Sequence, residues 1–378
     1  MKVLYVDQFG KTSGCYTLPQ AEYIFTHEGI DITEFISDNV DFPLDGYSVH
    51  VVKGFHGAYE GSAKNKAINY IRALRELKEY VKKNKIDIVH LQWFSLPWIE
   101  WKYVKQLHKI CKIVITIHDV IPFNNRPLEM KSLDWVYSNA DYLLFHTEYA
   151  REQFEKNYIT RRPSAIITQG FCSKKDYTII EKEKAKSHFG IPEDAVVFLY
   201  YGTIRESKGL DTLIQAISIA HNRSKKVFFL AGGAFQKVNE EEYRRLVKNH
   251  LDGQFSNVYF GFVPTEEEPW YFSAADVCCL PYREITQSGV AQTALMYELP
   301  LIATDIGDMR QVARPGFNGE LMKVDDKGSL SEIIVDLAEN RDKLMRYSQG
   351  SKYLAENEFS LEKKSQIVAE VYRKLANE

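Results

Sequence analysis

Two cations stand in a turn between a strand and a helix. In VVFLYYGTIRESKGLDTLIQAISIA, residues 196–220, an apolar run ends at Gly202 and a helical pattern begins after Gly209, with Arg205 and Lys208 between them. The carboxyl end of a parallel strand followed by a helix N-terminus favours anions, because unpaired N–H groups and the helix dipole point there. A guanidinium fork and an ammonium group suit phosphate oxygens. The pattern predicts a diphosphate site, and two ordinary surface cations are the alternative.

A second turn of the same kind lies further along the chain. In PYREITQSGVAQTALMYELPLIATDIGDM, residues 281–309, Ser288 and Gly289 open a helical segment after another apolar run. Their backbone N–H groups are suited to phosphate. Two anion sites on neighbouring strand ends predict a phosphorylated ligand.

A histidine follows a strand in the first half of the chain. IVITIHDVIPF, residues 113–123, places His118 and Asp119 at the end of an apolar run. A lone histidine at such a position fits a structural role as well as a functional one. Asp119 is suited either to orienting the imidazole or to forming the turn.

Basic and aromatic residues are concentrated between residues 64 and 104. The segment 64–85 has eight Lys or Arg against two Glu, with apolar residues at helical spacing: Ile68, Ile71, Leu74, Leu77 and Val81. It predicts a core-facing helix with a basic outer face, or a helix that docks on an anionic membrane surface. Trp93, Trp98 and Trp101 come after the next strand. They suit stacking on sugar rings, a lipid interface or the core.

The elements that position these residues alternate along the chain. The predicted strands are KVLYVD, DITEFIS, DIVHLQ, IVITIH, DYLLFH, AIITQG, VVFLYYG, VFFLAGG, NVYFGF, DVCCLPY and PLIATDI. Strand–helix alternation predicts parallel sheets with right-handed crossovers, hence an α/β fold. A polar helix ending in Gly-Ile-Pro, before a fresh strand, places a boundary near residue 185. We expect two doubly wound domains, 1–185 and 186–358, with ligands in a cleft at their strand ends and a last helix, 359–378, packed back on the N-terminal domain.

Composition narrows the class of protein. The chain has 378 residues, 45% of them hydrophobic, and a formal net charge of −3, which predicts a globular protein and argues against nucleic-acid binding by bulk charge. The five cysteines show no paired spacing, so reduced thiols are expected and neither disulfides nor zinc. MKVLYVDQFG is predicted to be a strand rather than a signal peptide, and no apolar run reaches the roughly 18 residues of a spanning helix. We expect a cytoplasmic protein, with the inner membrane face as a peripheral alternative.

Several of these segments together resemble one family. GTIRESKGLDTLIQAI is similar to the Gly…Lys-Gly…Leu-Ile…Ala element of the retaining, metal-independent family 4 glycosyltransferases, and QSGVAQTALMYELPLIATDIGDMRQV resembles their nucleotide-sugar-binding element. The likeness extends to FVPTEEEPWYFSAADVCCLPY and NADYLLFHTEYAREQF, and covers nearly the whole length. It implies the GT-B fold, in which two Rossmann-like domains face a central cleft.

The resemblance also implies roles for single residues. Arg205 and Lys208 would neutralise the departing nucleoside diphosphate, and His118 would contact the donor sugar. Donor contacts are expected from Gly14, Gly202, Glu284, Gln287, Ser288, Gly289, Val290, Gln292 and Thr293. Acceptor contacts are expected from Ser13, Asp119 and Trp93.

The chain departs from the family pattern at two points. Many relatives have Arg directly after the glycine, where this chain has Thr203 and places Arg205 two residues later. The family's Glu-x7-Glu motif lacks its second glutamate here, since Gln292 and Thr293 occupy that region. The QSGV version resembles a subgroup without the full motif, which leaves open how ribose is held.

The implied reaction is transfer of a sugar from a nucleotide-diphosphate sugar, UDP-sugar first, to a glycan or lipid-linked acceptor with retention, in bacterial surface-polysaccharide assembly. No cofactor and no metal are expected. The alternatives are a GDP-sugar donor, a nucleotide-sugar epimerase of the same fold, and a non-catalytic GT-B subunit of a transferase complex. Sugar, linkage and oligomeric state are not predicted.

Overall fold

Buried apolar runs form two separate parallel sheets, each in its own part of the chain. The structure is a computed structural model that describes residues 1–10, 16–40, 44–122, 128–168, 178–251, 253–285 and 288–378. Unit 1 comprises Met1–Ser173 and Phe359–Glu378, and unit 2 comprises Lys174–Glu358. The α/β GT-B fold class is thereby confirmed at the level of its two Rossmann-like domains.

The units divide earlier than residue 185. The amide of Ile180 donates to Ser273 Oγ at 3.0 Å, and Lys182 Nζ donates to the Ala275 carbonyl at 2.9 Å. Because these bonds join the segment to a helix of unit 2, the polar helix read from the sequence as the boundary belongs to unit 2.

Unit 1 contains a seven-stranded sheet within the described ranges, in the order β3-β2-β1-β4-β5-β6-β7, with every pair parallel. Its elements are β1 Lys2–Asp7, α1 Thr17–Glu28, β2 Asp31–Ser37, β3 His50–Gly54, α2 Ala63–Asn84, β4 Ile88–Leu91, α3 Pro97–Leu107, β5 Lys112–Ile117, α4 Glu129–Tyr137, β6 Tyr142–Phe145, α5 Glu148–Asn157 and β7 Ser164–Ile166. The strand order reverses between β1 and β4: β2 and β3 are added on one side of β1, and β4 to β7 on the other. Such a switch point is the usual place for a ligand at the carboxyl ends of the strands.

Unit 2 contains a six-stranded parallel sheet within the described ranges, in the order β10-β9-β8-β11-β12-β13. Its elements are α6 Lys182–His188, β8 Val196–Tyr201, α7 Leu210–Arg223, β9 Val227–Gly233, α8 Glu240–His250, β10 Ser256–Phe260, α9 Glu268–Ala274, β11 Val277–Leu280, α10 Gly289–Met296, β12 Leu301–Thr304, α11 Met309–Val312, β13 Gly319–Met322, α12 Lys327–Glu339 and α13 Arg341–Asn357. The corresponding switch point lies between β8 and β11.

The last helix, α14 Leu361–Ala376, completes unit 1. Ser360 caps it by accepting the Lys363 amide at 3.1 Å. Its apolar face joins the core that lies on the α1 side of the sheet, where Val368 and Tyr372 are fully buried. Arg373 donates to the Glu28 carboxylate at 2.7 Å at the end of α1. The apolar face of α14 is therefore part of the interior of unit 1.

The predicted strands are all present, and two further strands were not predicted. β3 is a short edge strand with little burial, and β13 is a strand of four residues that begins at Gly319. The helical prediction for residues 64–85 is confirmed as α2, but Ile68 is exposed, and Tyr70 and Ala73 are buried instead. In the described part of the chain, no helix has both the length and the apolar character required to cross a bilayer.

Candidate functional site

The turn after β8 carries two cations at the switch point of unit 2. Gly202 follows the strand with a φ of 106°, and a 3₁₀ turn spans Glu206–Lys208 before α7 begins. Arg205 is exposed and Lys208 is half-buried. The ion pairs formed among the described residues of this unit include neither side chain. Positive charge is thus left unbalanced at a strand end.

Gly209 lets this turn approach the end of β11 closely. Its φ is 65°, and a Cβ at this position would lie 1.9 Å from the carbonyl oxygen of Pro281. Only glycine combines that backbone conformation with the missing volume. The Arg283 amide also donates to the Ser207 carbonyl at 2.8 Å. The turns after β8 and β11 therefore form one continuous surface.

Lys208 lies against an aromatic ring. Its Nζ is 3.6 Å from the ring centroid of Tyr282, which is buried directly after β11. Burial, and then the positive charge of Arg205, lower the pKa of Lys208 to about 8. A bound anion would stabilise the protonated form against both effects. The ammonium group is therefore suited to a ligand that brings negative charge.

The N-terminus of α10 lies at the same edge. Ser288 caps the helix, since its Oγ accepts the Ala291 amide at 3.2 Å, and this oxygen lies 3.3 Å from Tyr282 Oη. A Cβ built on Gly202 would be 3.4 Å from Val290, so the helix start and the turn after β8 are in contact. The first N–H groups of a helix have no intrahelical acceptor and face outward. Two cations beside a helix N-terminus are the arrangement that the sequence analysis predicted for an anion site, and anion binding here stays a prediction.

The other predicted donor contacts differ in exposure. Gly289 and Glu284 are exposed, Thr293 is half-buried, and Gln292 is buried in α10. Gln287 lies outside the described residues. Contact of these side chains with a donor stays a prediction.

Arg283 was missed by the sequence reasoning and ties the turns together. Its guanidinium donates to Asp211 at 2.9 and 2.7 Å and to Asp325 at 2.8 and 3.0 Å. The bonds to Asp211, and then those to Asp325, raise the pKa of Arg283, and the bond from Arg283 lowers the pKa of Asp325. In contrast to Arg205, this cation is neutralised by the protein, so it holds the site rather than binding an anion. The sequence signal for Arg283 was a cation three residues after a buried strand, together with an aspartate in the first turn of α7.

In unit 1, His118 follows β5 and both of its ring nitrogens face side chains. Nε2 is 3.0 Å from Gln92 Oε1, and Nδ1 is 3.2 Å from His146 Nε2. Trp93 stacks on the imidazole, with 3.8 Å between ring centroids. Burial, and then the proximity of His146, lower the pKa of His118 well below its usual value. His118 is therefore a neutral, tightly held ring.

His146 and Tyr16 are two site residues that the sequence reasoning missed. His146 comes directly after β6, the strand next to β5, so the parallel sheet places it beside His118. Tyr16 stands before α1, and its hydroxyl lies 3.1 Å from His146 Nε2. The signal for His146 was the segment DYLLFH, a second strand that ends in histidine.

The predicted acceptor residues meet these rings only in part. Trp93 is in contact with His118, as described. Asp119 is half-buried, and burial raises its pKa, but the described partners of the imidazole nitrogens are Gln92 and His146 instead. Ser13 and Gly14 lie outside the described residues. Among the described residues, no three or more His, Cys, Asp or Glu side chains are grouped so as to hold a metal ion.

Two Rossmann-like units with parallel sheets have the GT-B fold, and the class of enzyme follows from the family matches. Residues 28–171 match the family description "Glycosyltransferase Family 4", and residues 181–353 match "Glycosyl transferases group 1". The two matches follow one another along the chain. The chain belongs to the family 4 type of glycosyltransferases.

Known proteins resemble the chain over most of its length. D-inositol 3-phosphate glycosyltransferase of Corynebacterium urealyticum is 22% identical over 350 residues, covering 87% of this chain and 82% of its own. The O-antigen biosynthesis glycosyltransferase WclY of Escherichia coli is 25% identical over 318 residues, covering 82% and 84%. Among solved structures, Anabaena Alr3699/HepE in complex with UDP has a TM-score of 0.75 at 15% identity, covering 99% and 100%. This last likeness concerns the fold alone.

Proposed function

We propose that this glycosyltransferase moves a sugar from a UDP-sugar to a glycan or lipid-linked acceptor, with retention and without a metal ion, in the assembly of a bacterial surface polysaccharide. The observation that supports the donor class is the pair Arg205 and Lys208 beside the N-terminus of α10. Neither cation is paired with a carboxylate among the described residues, so a diphosphate would supply the negative charge that balances them.

In unit 2, the two cations and the helix N-terminus assist departure of the leaving group. When the glycosidic bond to the diphosphate breaks, negative charge grows on the phosphate oxygens. Arg205, Lys208 and the first N–H groups of α10 stabilise that charge more in the transition state than in the ground state, which lowers the barrier. Two fixed cations supply what a divalent ion supplies in metal-dependent transferases. His118 of unit 1 contacts the donor sugar as a neutral group.

The donor base and the acceptor are proposed from the relatives. UDP is bound in the Anabaena structure, and WclY is named for O-antigen biosynthesis. GDP is the next candidate. Thr203, together with Gln292 and Thr293 in place of a second glutamate, favours the subgroup with the QSGV element, in which Gln287 to Val290 surround the phosphates and the sugar.

We also propose that the basic face of α2 contacts an anionic membrane surface. Lys64, Lys66, Arg75, Lys82 and Lys83 are exposed on this helix, and so is Ile68. An exposed apolar side chain among exposed cations suits the lipid interface. Sedimentation with vesicles of 30% phosphatidylserine should bind the chain at low salt, and Lys82→Glu with Lys83→Glu should weaken binding several-fold; equal binding of the two proteins would exclude this surface.

The function is tested by offering labelled UDP-, GDP-, ADP- and dTDP-sugars to the purified protein with a bacterial lipid extract and EDTA. The proposal predicts label in the lipid or glycan fraction from one donor only, and an anomeric proton of the same configuration as in the donor. An altered sugar nucleotide formed without acceptor would show an epimerase. Absence of both transfer and nucleotide binding would indicate a non-catalytic subunit.

A further inference from the structure

A chain of buried polar contacts runs through unit 1 from α14 to the end of β6. Its links are Tyr372 Oη to His90 Nδ1 at 2.6 Å, His90 Nε2 to Thr116 Oγ1 at 2.7 Å, Thr116 Oγ1 to the Gln92 amide at 3.4 Å, Gln92 to His118 Nε2 at 3.0 Å, His118 Nδ1 to His146 Nε2 at 3.2 Å, and His146 Nδ1 to the Ile167 carbonyl at 3.2 Å. All of these residues are buried. Three histidines thus lie in one hydrogen-bonded row, and His118 is the middle one of the three.

The carbonyl at the end of the row fixes the protons of the last two histidines. The Ile167 oxygen can only accept, so His146 Nδ1 must carry a proton. A neutral His146 then has a lone pair on Nε2, and His118 Nδ1 must donate to it. Tyr16 Oη, 3.1 Å from the same nitrogen, is a second donor to that lone pair. The neutral His118 ring therefore has its proton on Nδ1 and its lone pair on Nε2.

The lone pair on His118 Nε2 in turn fixes the Gln92 amide. Oxygen and nitrogen of an amide are exchanged by a half-turn of the group, and the correct orientation follows from the partners. An Nδ1–H tautomer of His118 requires the Gln92 NH₂ at Nε2, which turns the amide oxygen toward the Thr116 hydroxyl. Thr116 then donates to Gln92 and accepts from His90 Nε2–H, while Tyr372 donates to His90 Nδ1. Every link is satisfied in one direction with all three histidines neutral.

The surroundings keep these histidines neutral. Burial is the first cause that lowers the pKa of His90, of His118 and of His146, the last to about 3, and the nearby charge of Lys364 contributes to each. Lys364 lies on α14 with its Nζ 3.4 Å from the ring centroid of Tyr16. The groups that face His118 are Tyr16 before α1, Trp93 and Gln92 after β4, His146 after β6, and Lys364 of α14. A second proton on His118 would add positive charge near the Lys364 ammonium, and none of the described carboxylates contacts the ring to offset it.

We propose that His146 is a positioning residue that fixes His118 as the Nδ1–H tautomer, and that the row through Gln92, Thr116 and His90 connects the reaction centre to α14. The inference rests on the proposed function only in that His118 acts on the sugar. With both nitrogens engaged, His118 has no free base to offer a substrate. It acts through shape and fixed orientation, and proton transfer to or from this ring is not part of the reaction.

The test is ¹⁵N NMR of histidine-labelled protein without donor at pH 7, with the His118 signals assigned from their loss in His118→Asn. Wild type should show His118 protonated on Nδ1 alone. In His146→Leu the acceptor is gone, so the proton should move to Nε2 and donate to a reoriented Gln92 oxygen. In His146→Gln the amide oxygen replaces the lost acceptor, and the Nδ1–H form should return.

A second variant guards against loss of folding in His146→Leu. Gln92→Leu removes the other partner of His118 and should leave the proton on Nδ1, because His146 dictates the tautomer. A wild-type His118 protonated on Nε2 or on both nitrogens would overturn the inference, and so would an unchanged tautomer in folded His146→Leu or a moved proton in Gln92→Leu.

The same variants separate positioning from donor binding. His146→Leu should lower kcat about tenfold with the donor KM little changed, and His146→Gln should recover most of the loss. Since the tautomer is read without donor, a correct tautomer with no transferase activity would refute the proposed function alone. A wrong tautomer in an active enzyme would refute the positioning role alone.

Discussion

The strand-end sites of the two units use opposite electrostatics. In unit 2, Arg205 and Lys208 stand at the surface with no carboxylate balancing them among the described residues. In unit 1, His118 and His146 are buried, neutral and hydrogen-bonded on both nitrogens. Both sets follow parallel strands: the cations lie at the switch point between β8 and β11, and the histidines follow the neighbouring strands β5 and β6. The sites therefore differ by the side chains placed there, and each set matches the group it is proposed to bind.

The contrast has a physical reason. A diphosphate brings its own charge, so a cation left unbalanced in the free protein gains a partner when the ligand binds. A sugar is neutral, and a charged ring beside it would add desolvation cost without a gain. Arg283 supports this interpretation: it lies within the same turns, yet two aspartates neutralise it and it serves as a tie.

The largest expected effect comes from removing the ammonium group of Lys208 in unit 2. Lys208→Ala should lower kcat by about 10²–10³, the size typical of a lost transition-state donor, because growing charge on the diphosphate loses a partner. Steady-state kinetics with the accepted donor would measure it. Lys248→Ala, an exposed lysine on α8 of the same unit, is the matched control and should be unchanged. Near-normal turnover in Lys208→Ala would contradict the proposal that Lys208 stabilises the departing diphosphate.

Gly209→Ala tests whether the two turns must approach each other. The methyl group would overlap the Pro281 carbonyl, and φ at this position is 65°, so unfolding free energy should fall by about 2–3 kcal/mol. Chemical denaturation would measure the loss. The control is Gly253→Ala, whose Cβ would meet nothing within 4 Å, and it should be close to neutral. Equal stability of the two variants would contradict the close contact.

Donor affinity should depend on pH through Lys208. Its pKa is lowered to about 8, so Lys208 is cationic below this pH and loses its charge above it, while Arg205 stays charged. Only the protonated form pairs with phosphate, and the bound anion raises the pKa again. Binding should therefore take up a proton above pH 8, and affinity should fall by up to about tenfold per pH unit there. Calorimetry in buffers of different ionisation enthalpy measures this uptake; a flat profile up to pH 9.5 would contradict it.

In contrast to Lys208, the rings of His118 and His146 in unit 1 should not change their charge with pH. The pKa values of His118 and His146 lie below their ordinary range because both rings are buried, so lowering the pH from 8 to 5.5 should protonate neither. Histidine NMR signals of both rings should stay constant over this range. Titration of His118 near pH 6.5 would show that the ring is charged or solvated in the working enzyme.

Much of the fold could be read from local patterns. The bounds of β1, β2 and β9 agree with the predicted segments, because long buried or alternating apolar runs bounded by turn residues leave little choice. β3 and β13 were not predicted because each is short and neither is a continuous buried apolar run. The boundary between the units was placed too late in the chain because the contacts of Ile180 and Lys182 are made with residues 93 positions away.

The candidate site could be predicted where its residues lie in one contiguous segment. Gly202, Arg205 and Lys208 belong to a single turn whose residue types indicate anion binding. Arg283 and His146 could not be assigned in the same way, since their roles arise from partners more than 25 residues away, on strands that only the folded sheet brings side by side.

We propose that unit 2 binds a nucleoside diphosphate through Arg205, Lys208 and the start of α10. The decisive experiment is isothermal titration of UDP, GDP, ADP and dTDP into wild type, Arg205→Ala, Lys208→Ala and Lys248→Ala, all in EDTA. We expect one nucleotide to bind wild type and Lys248→Ala alike, and each of the other two variants to bind it at least about tenfold more weakly. No binding by any nucleotide at millimolar concentration, or equal binding by all four proteins, would contradict it.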